Sequence, residues 1–364
     1  MIRLSICFAV YNQSEMLAAN LRELVTCTRD DVEFVVCDDC STEDIAGLVS
    51  AFDDPRIRYV RNEHNLGHDL NILHALDECR GTHILLLRTR DMACVNALDD
   101  VMNVLDENPN AGYFLFSAED ERGNLRMNLP DRTYAAGLDA AKANGTLLIH
   151  PSGSIYARRF FRTELYRTYI RAYFDTHYGF VAHQLIRDDL VQNADFVTSH
   201  VRGWKYANTL SAEDVAVNST RTGTNVYAPE YSYPRYACEF DFVRNELEGE
   251  VRTSVLCSVV RRYYEQFLLH LPSILRDERY ATHYNSRTQS IDTHVEALKL
   301  DALTRHLMEG LPEQDCASIR AVASAQTLRS HTIYPVMRAM RDAIVACRPA
   351  YGLARKALAL VGRS

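Results

Sequence analysis

The sequence predicts an α/β fold, with a mostly parallel nucleotide-binding half-sheet in the first 210 residues and a helical module after it. Three observations carry this expectation. Leu4–Val10, Glu33–Cys37 and Ile84–Leu87 are short, almost wholly apolar runs, as in strands buried on both faces. Each ends abruptly in polar residues: Tyr11-Asn12, Asp38-Asp39, and Arg88-Thr89-Arg90-Asp91. Ligands of open α/β sheets bind beyond the carboxyl ends of the strands, so chemistry is expected there. Helical stretches separate the runs, and right-handed crossovers then give parallel pairing.

Taken in order, the first strand leads to a helix from Ser14 to Thr28, with Ser14 as N-cap and Leu17, Leu21, Leu24 and Val25 as its apolar stripe. The second strand leads through Asp38-Asp39-Cys40-Ser41-Thr42 to a helix over about Glu43–Phe52, and Ile57–Val60 is a third strand. Asn65-Leu66-Gly67-His68 reads as a turn before a helix that stops near Arg80-Gly81. A helix from Asn96 to Glu107 and a strand over Tyr113–Ser117 follow. Ser152-Gly153-Ser154 is a tight turn entering another strand, and Phe180–Val191 looks helical. Residues 1–210 are expected to form the first domain, 211–235 a linker, and 236–364 a helical C-terminal module with a basic amphipathic tail.

Composition narrows the function classes. Of 364 residues, 47% are apolar, enough for a substantial core, and a net charge of −8 argues against nucleic acid as a partner. Cys37 and Cys40 have C-x-x-C spacing, but no second pair accompanies them. They are expected to be free thiols in a reducing cytosol. The sequence runs straight into a predicted strand, so no signal peptide is expected. No stretch reaches the ~18 apolar residues of a membrane span. The expected location is the cytoplasm, with peripheral contact at the inner face of the cell membrane as a further option.

A dinucleotide site would want Gly-x-Gly-x-x-Gly after the first strand. The stretch there is Phe8-Ala9-Val10-Tyr11-Asn12-Gln13, without glycine. Val10-Tyr11-Asn12, then Val35-Val36-Cys37-Asp38-Asp39-Cys40-Ser41-Thr42-Glu43-Asp44, then Asn65-Leu66-Gly67 resemble, in order and spacing, the motif blocks of family 2 glycosyltransferases. The resemblance covers about residues 3–205. It implies a GT-A fold and transfer of a sugar, with inversion, from a nucleotide-sugar donor that is usually UDP-linked. It also implies that Tyr11 lies against uracil, with Ala9, Val10 and Asn12 shaping that loop. Asp38 and Asp39 then hydrogen-bond uracil or support the loop, the alternative being that they only cap the next helix. Asn65 and Gly67 match the turn that approaches the nucleotide, and Gly153 lets backbone approach the sugar.

Two departures stand out. The family places Asp-x-Asp after the strand that matches Ile84–Leu87, to hold Mg²⁺ or Mn²⁺ on the diphosphate; here the aligned residues are Thr89, Arg90 and Asp91. Asp91 is thus the candidate metal ligand. Arg88 or Arg90 is the alternative stabiliser of the leaving group, since a guanidinium pairs with phosphate through two parallel hydrogen bonds. The family's Glu-Asp at a later helix start is Ala182-His183 here. His183 is the candidate general base, suited by its intrinsic pKa near ~6.5; a metal ligand or a packed histidine are the other readings. Asp188 and Asp189 read as helix-surface acids, Arg158 and Arg159 as facing either the diphosphate or solvent, and Trp204 as core or sugar platform.

Residues 331–364 carry Arg338, Arg341, Arg348, Arg355, Lys356 and Arg363 against one acid, Asp342, with Val336, Met340, Ile344, Leu353, Ala357 and Leu360 as an apolar side. Such a segment either lies on an anionic membrane or packs on the helical module. The expectation is an inverting glycosyltransferase acting on a glycan or lipid-linked saccharide in surface polysaccharide biosynthesis. The rival is a non-catalytic nucleotide-sugar-binding or scaffolding protein with a degenerate metal site.

Overall fold

The structure is a computed structural model that describes residues 1–120, 122–146, 152–174, 180–206, 229–270, 272 and 292–346, with no side chains at 229–231 or 341–346. The chain divides into two compact units, Met1–Glu213 with Tyr233–Ser258, and Asp214–Ser232 with Val259–Ser364.

The first unit is built on a mixed sheet. Its strands are β1 (Leu4–Val10), β2 (Val32–Asp38), β3 (Ile57–Arg61), β4 (His83–Leu87), β5 (Met92–Ala93), β6 (Ala111–Asp120), β7 (Leu125–Met127), β8 (Arg132–Tyr134), β9 (Ser154–Ala157) and β10 (Asp195–Tyr206). The main path runs β3-β2-β1-β4-β9-β6-β10-β5, with β7 on β6 and β8 on β10. β1, β2, β3 and β4 pair in parallel, as do β6 and β10. β9 enters antiparallel between β4 and β6, placing Ser154 opposite Leu86 and Ala157 opposite His83. That register brings the 152–154 turn to the carboxyl end of β4 and sends Arg158 to the other end.

Helices α1 (Ser14–Leu24), α2 (Ile45–Ser50), α3 (His68–Glu78), α4 (Leu98–Glu107), α5 (Leu138–Thr146), α6 (Thr163–Tyr173) and α7 (Ala182–Asn193) follow or separate the strands. Alternation within β1 and β2 sorts the core. Leu4, Ile6, Phe8 and Val10 join Val32, Phe34 and Val36 in one cluster with Leu17, Leu21 and Leu24 of α1 and Leu98, Val101 and Leu105 of α4. The other face holds Ser5 and Glu33, joined by a 2.6 Å hydrogen bond, and α3 packs on both strands.

Residues Tyr233–Ser258, which span the end of the expected linker and the start of the expected helical module, fall in this first unit. They contribute most of α8 (Pro229–Glu246) and the first part of α9 (Gly249–Glu265). Phe242 lies 5.1 Å from the Tyr169 ring, and Glu246 accepts from Tyr169 and Arg162.

In the second unit, α10 (Thr293–Leu307) is capped by Asp292, whose carboxylate accepts from the His294 and Val295 amides. The long α11 (Glu313–Ala346) buries Ile319, Ala323, Gln326, Ser330 and Tyr334 at helical spacing. Arg338 donates to the Leu268 carbonyl at 2.8 Å, whereas Ile333, Val336, Met337 and Met340 are exposed. Among the described residues no helix is long and apolar enough to cross a membrane. Side chains of the tail beyond residue 340, including Arg348, Arg355, Lys356 and Arg363, lie outside the described residues, as do residues 207–228 of the expected linker.

Candidate active site

The carboxyl ends of β1 and β2 are stitched into one cradle. Asn12 and Gln13 both take the left-handed region (φ 57° and 62°), a conformation asparagine tolerates better than most residues. The Asn12 side chain accepts from the amides of Thr42 (2.9 Å) and Glu43 (3.2 Å), and its own amide donates to Ser41 Oγ at 2.7 Å. Ser14 is the first helical residue of α1, not its cap. The Glu43 carboxylate caps that end from across the cradle, accepting from the Gln13 and Ser14 amides. Ala9 and Val10 lie at the end of β1, opposite Cys37 and Asp38, and Tyr11 follows, half-buried.

Asp38 and Asp39 are both buried and both engaged. Asp38 accepts from the Ser41 amide, the Tyr59 hydroxyl and Arg61 at 2.6–2.8 Å. Asp39 accepts from Asn62 Nδ2 and from the Leu66 and Gly67 amides at 2.7–2.9 Å. Asn65 also accepts from the Gly67 amide, at 2.9 Å. Gly67 itself has φ 83°, which favours glycine. Asn71 ties the three loops together, donating to the Val10 and Cys37 carbonyls and accepting from Asn62. The free Cys37 thiol is pushed up to about 12 by burial and by the nearby Asp39 carboxylate.

α3 then reaches α7. Asp69 is buried, and its carboxylate accepts from the Val181 and Ala182 amides at 3.0–3.2 Å, capping the helix that carries His183. Burial raises the Asp69 pKa, but hydrogen bonds and charge from His68 and those amides outweigh it and hold the carboxyl below its usual range. His68 stacks on Phe180 with centroids 4.2 Å apart. His183 sits in the first turn of α7, 8% exposed.

At the end of β4 the arrangement changes. Asp91 is fully buried, and its Oδ2 accepts from Arg88 Nε at 2.7 Å and from Ser152 Oγ at 2.5 Å. Ser152 Oγ in turn accepts from the Arg88 amide at 2.9 Å. The Thr89 hydroxyl bonds Gln13, and its carbonyl accepts from Asn20 of α1. Arg90 is half-buried beside them. The cation implied by the resemblance does not fit this donor set, because a guanidinium already holds the one carboxylate of the turn. Among the described residues no three His, Cys, Asp or Glu side chains gather where they could ligate an ion.

Several other residues are settled by position. Arg158 and Arg159 lie at the far end of β9, near the Arg80 and Pro109 carbonyls, away from the Arg88–Asp91 turn. Trp204 is 2% exposed and donates to the Phe116 carbonyl at 3.2 Å, so it is core. Gly153, with φ 79°, abuts that indole: a Cβ here would lie 2.0 Å from Trp204 Nε1. Asp188 and Asp189, expected on a helix surface, are buried. Asn144 donates to Asp188, and Arg162 and Tyr166 donate to Asp189, because α7 is buried on nearly all sides. No role for Glu43, Asn62 or the Ser152 side chain, and no capping role for Asp69, is read from the sequence, although Glu43 lies inside the matched block and Ser152 inside the Ser152-Gly153-Ser154 turn.

The sequence model described as glycosyl transferase family 2 matches residues 5–168, a little under half of the chain. An uncharacterized glycosyltransferase of Methanocaldococcus jannaschii, MJ1057, is 21% identical over 61% of this chain and 82% of its own. An uncharacterized Sinorhizobium fredii protein is 33% identical over 32% of this chain, and the match spans only 13% of that protein's length. S. aureus TarS 1-349 in complex with UDP superposes with a TM-score of 0.58 at 16% identity, over 90% of this chain and 89% of that one. Its complex with UDP-GlcNAc gives 0.57 at 15% identity, over 91% and 92%. Residues 5–168 thus match the glycosyl transferase family 2 model, and the fold is the mixed α/β fold of the TarS structures.

Proposed function

We propose that the chain transfers a sugar from a UDP-sugar to a hydroxyl group with inversion at the anomeric carbon. The observation that carries this reading is the β1–β2 cradle. Asn12, Asp38, Asp39, Asn65 and Gly67 fall together at one edge and are fixed by hydrogen bonds to one another's loops. Tyr11 beside them offers a ring to uracil. Solved TarS complexes with UDP and UDP-GlcNAc on the same fold support the choice of donor.

His183 accepts the proton of the acceptor hydroxyl as its oxygen attacks the anomeric carbon. The bond from that carbon to the diphosphate oxygen breaks on the opposite face, and Arg88 and Arg90 at the β4 turn balance the charge of the departing UDP. The acceptor in this reading is a glycan or lipid-linked saccharide of surface polysaccharide assembly. The exposed Ile333, Val336, Met337 and Met340 of α11, followed by basic residues, support peripheral contact with an anionic membrane.

The test is UDP release from a panel of UDP-sugars, with His183→Ala beside the wild type. Turnover is expected to fall by ~10²–10⁴-fold with UDP affinity retained, as for a general base. A variant of full activity removes His183 from the mechanism, and no release from any donor removes the transfer.

A further inference from the structure

The aligned metal position and the arginine before it form a single device. Asp91 is fully buried, and its Oδ2 is held at 2.7 Å by Arg88 Nε and at 2.5 Å by Ser152 Oγ, the same serine oxygen accepting the Arg88 amide. The Asp91 amide closes the turn on the Arg88 carbonyl at 3.0 Å. A divalent cation needs free lone pairs on that carboxylate and several more oxygens around it. Here it would sit against a guanidinium of like charge, with Thr89 already bonded to Gln13 and Arg90 as the remaining neighbour in the turn.

Arg88 itself is anchored on one side only. Nε is bound to Asp91, and the guanidinium carbon stands 5.8 Å from the centroid of the Tyr206 ring. Neither terminal nitrogen makes a hydrogen bond among the described residues, and the side chain is 27% exposed. An arginine fixed through Nε, with its terminal nitrogens open, is prepared to take a phosphate through two parallel hydrogen bonds, and little ordering remains to be done when the ligand arrives.

We propose that Arg88 takes the diphosphate of the nucleotide directly, with Asp91 and Ser152 as its positioning residues, so that nucleotide binding in this protein needs no divalent cation. The proposal rests on the UDP-sugar reading above and deepens it.

The experiment measures binding of UDP and of uridine to the full chain by calorimetry and by melting shift, in EDTA and in Mn²⁺. UDP is expected to bind tighter than uridine by tenfold or more, with UDP affinity changing less than about twofold between EDTA and Mn²⁺. Arg88→Gln should bring UDP down to the uridine level while leaving uridine itself unchanged. Arg88→Lys, which keeps the charge and loses the Nε anchor, should fall between. Asp91→Asn should lower the UDP-to-uridine ratio, which a purely structural role would leave alone. A tenfold or greater gain in UDP affinity on adding Mn²⁺ overturns the proposal and leaves the UDP-sugar reading standing. If Arg88→Gln still prefers UDP as strongly as the wild type, the proposal also fails. Absence of binding by both uridine and UDP in either buffer overturns the underlying reading together with it.

Discussion

At the β1–β2 edge, Asn12 and Asp39 spend their oxygens on backbone amides of neighbouring loops; at the β4 edge, Asp91 spends one of its oxygens on a guanidinium. The two arrangements do different work. Amides held by a buried acceptor fix the shape of a loop whether or not a ligand is present, and the acceptor is thereby used up. A carboxylate holding one side of an arginine fixes a direction, and the other side stays available for charge. In the proposed reading the first edge supplies shape for a flat, nearly neutral nucleoside, and the second an oriented positive charge for phosphate. Substitutions at the two edges should fail in different ways, which makes the comparison open to test.

The largest effect is expected at the β4 side, from Gly153. Its left-handed φ disfavours any side chain, and a Cβ would fall 2.0 Å from the buried Trp204 indole, whose nitrogen is committed to Phe116. Gly153→Val should cost about 3 kcal/mol or more in urea unfolding, from overpacking and backbone strain together. A loss below about 1 kcal/mol would mean that the loop and indole adapt freely, and that the turn holding Ser152 is not fixed by the core.

Next is Asp39→Ala at the other edge. It strips acceptors from Asn62 and from the Leu66 and Gly67 amides. Stability should fall by about 2–4 kcal/mol, and UDP and uridine should weaken together by about 1–3 kcal/mol. That joint loss is the signature of a shape defect, whereas Arg88 variants should separate the two ligands. Unchanged UDP affinity by calorimetry would take the nucleoside away from this edge.

The difference between the edges also explains what the sequence made legible. The strands β1, β2 and β4 stood out because each is an apolar run bounded by polar residues, and the cradle residues fell inside blocks of recognisable spacing. β9 did not stand out as antiparallel, because four residues over Ser154–Ala157 carry no directional signal and their partners, His83–Leu86, lie far away in sequence. β7 and β8 are three residues each and largely exposed. Asp188 and Asp189 were placed outside because adjacent acids in a helix are normally solvated. Their burial depends on Asn144, Arg162 and Tyr166, which no local pattern connects to α7. The Arg88–Asp91–Ser152 ring was hidden for the same reason: its serine arrives from residue 152, on the turn into neighbouring β9 and 61 residues away in sequence from Asp91.

The smallest expected effect concerns Asp69, which joins the cradle to the candidate base. The residue belongs to α3, whose N-terminus begins at the Asn65–Gly67 turn, and its carboxylate caps α7 one residue before His183. Burial alone would raise its pKa, but hydrogen bonds from His68, Val181 and Ala182 hold the carboxyl below the usual carboxylate value. A carboxyl depressed in the folded state contributes stability above its unfolded pKa of about 3.9, and that contribution is lost as pH falls through the lower folded value. Asp69→Asn retains an acceptor for the α7 amides and removes only the charge. It should be about 1 kcal/mol less stable than wild type at pH 7, the scale of a charge at a helix N-terminus. The two stability curves should converge below about pH 4, as the wild-type carboxyl takes up its proton. In the same variant turnover should fall while uridine affinity holds, because the cradle is intact and only the start of α7 is loosened. An offset between the curves that stays constant from pH 7 down to pH 3 would show that Asp69 acts by shape alone, and His183 would then owe nothing to its charge.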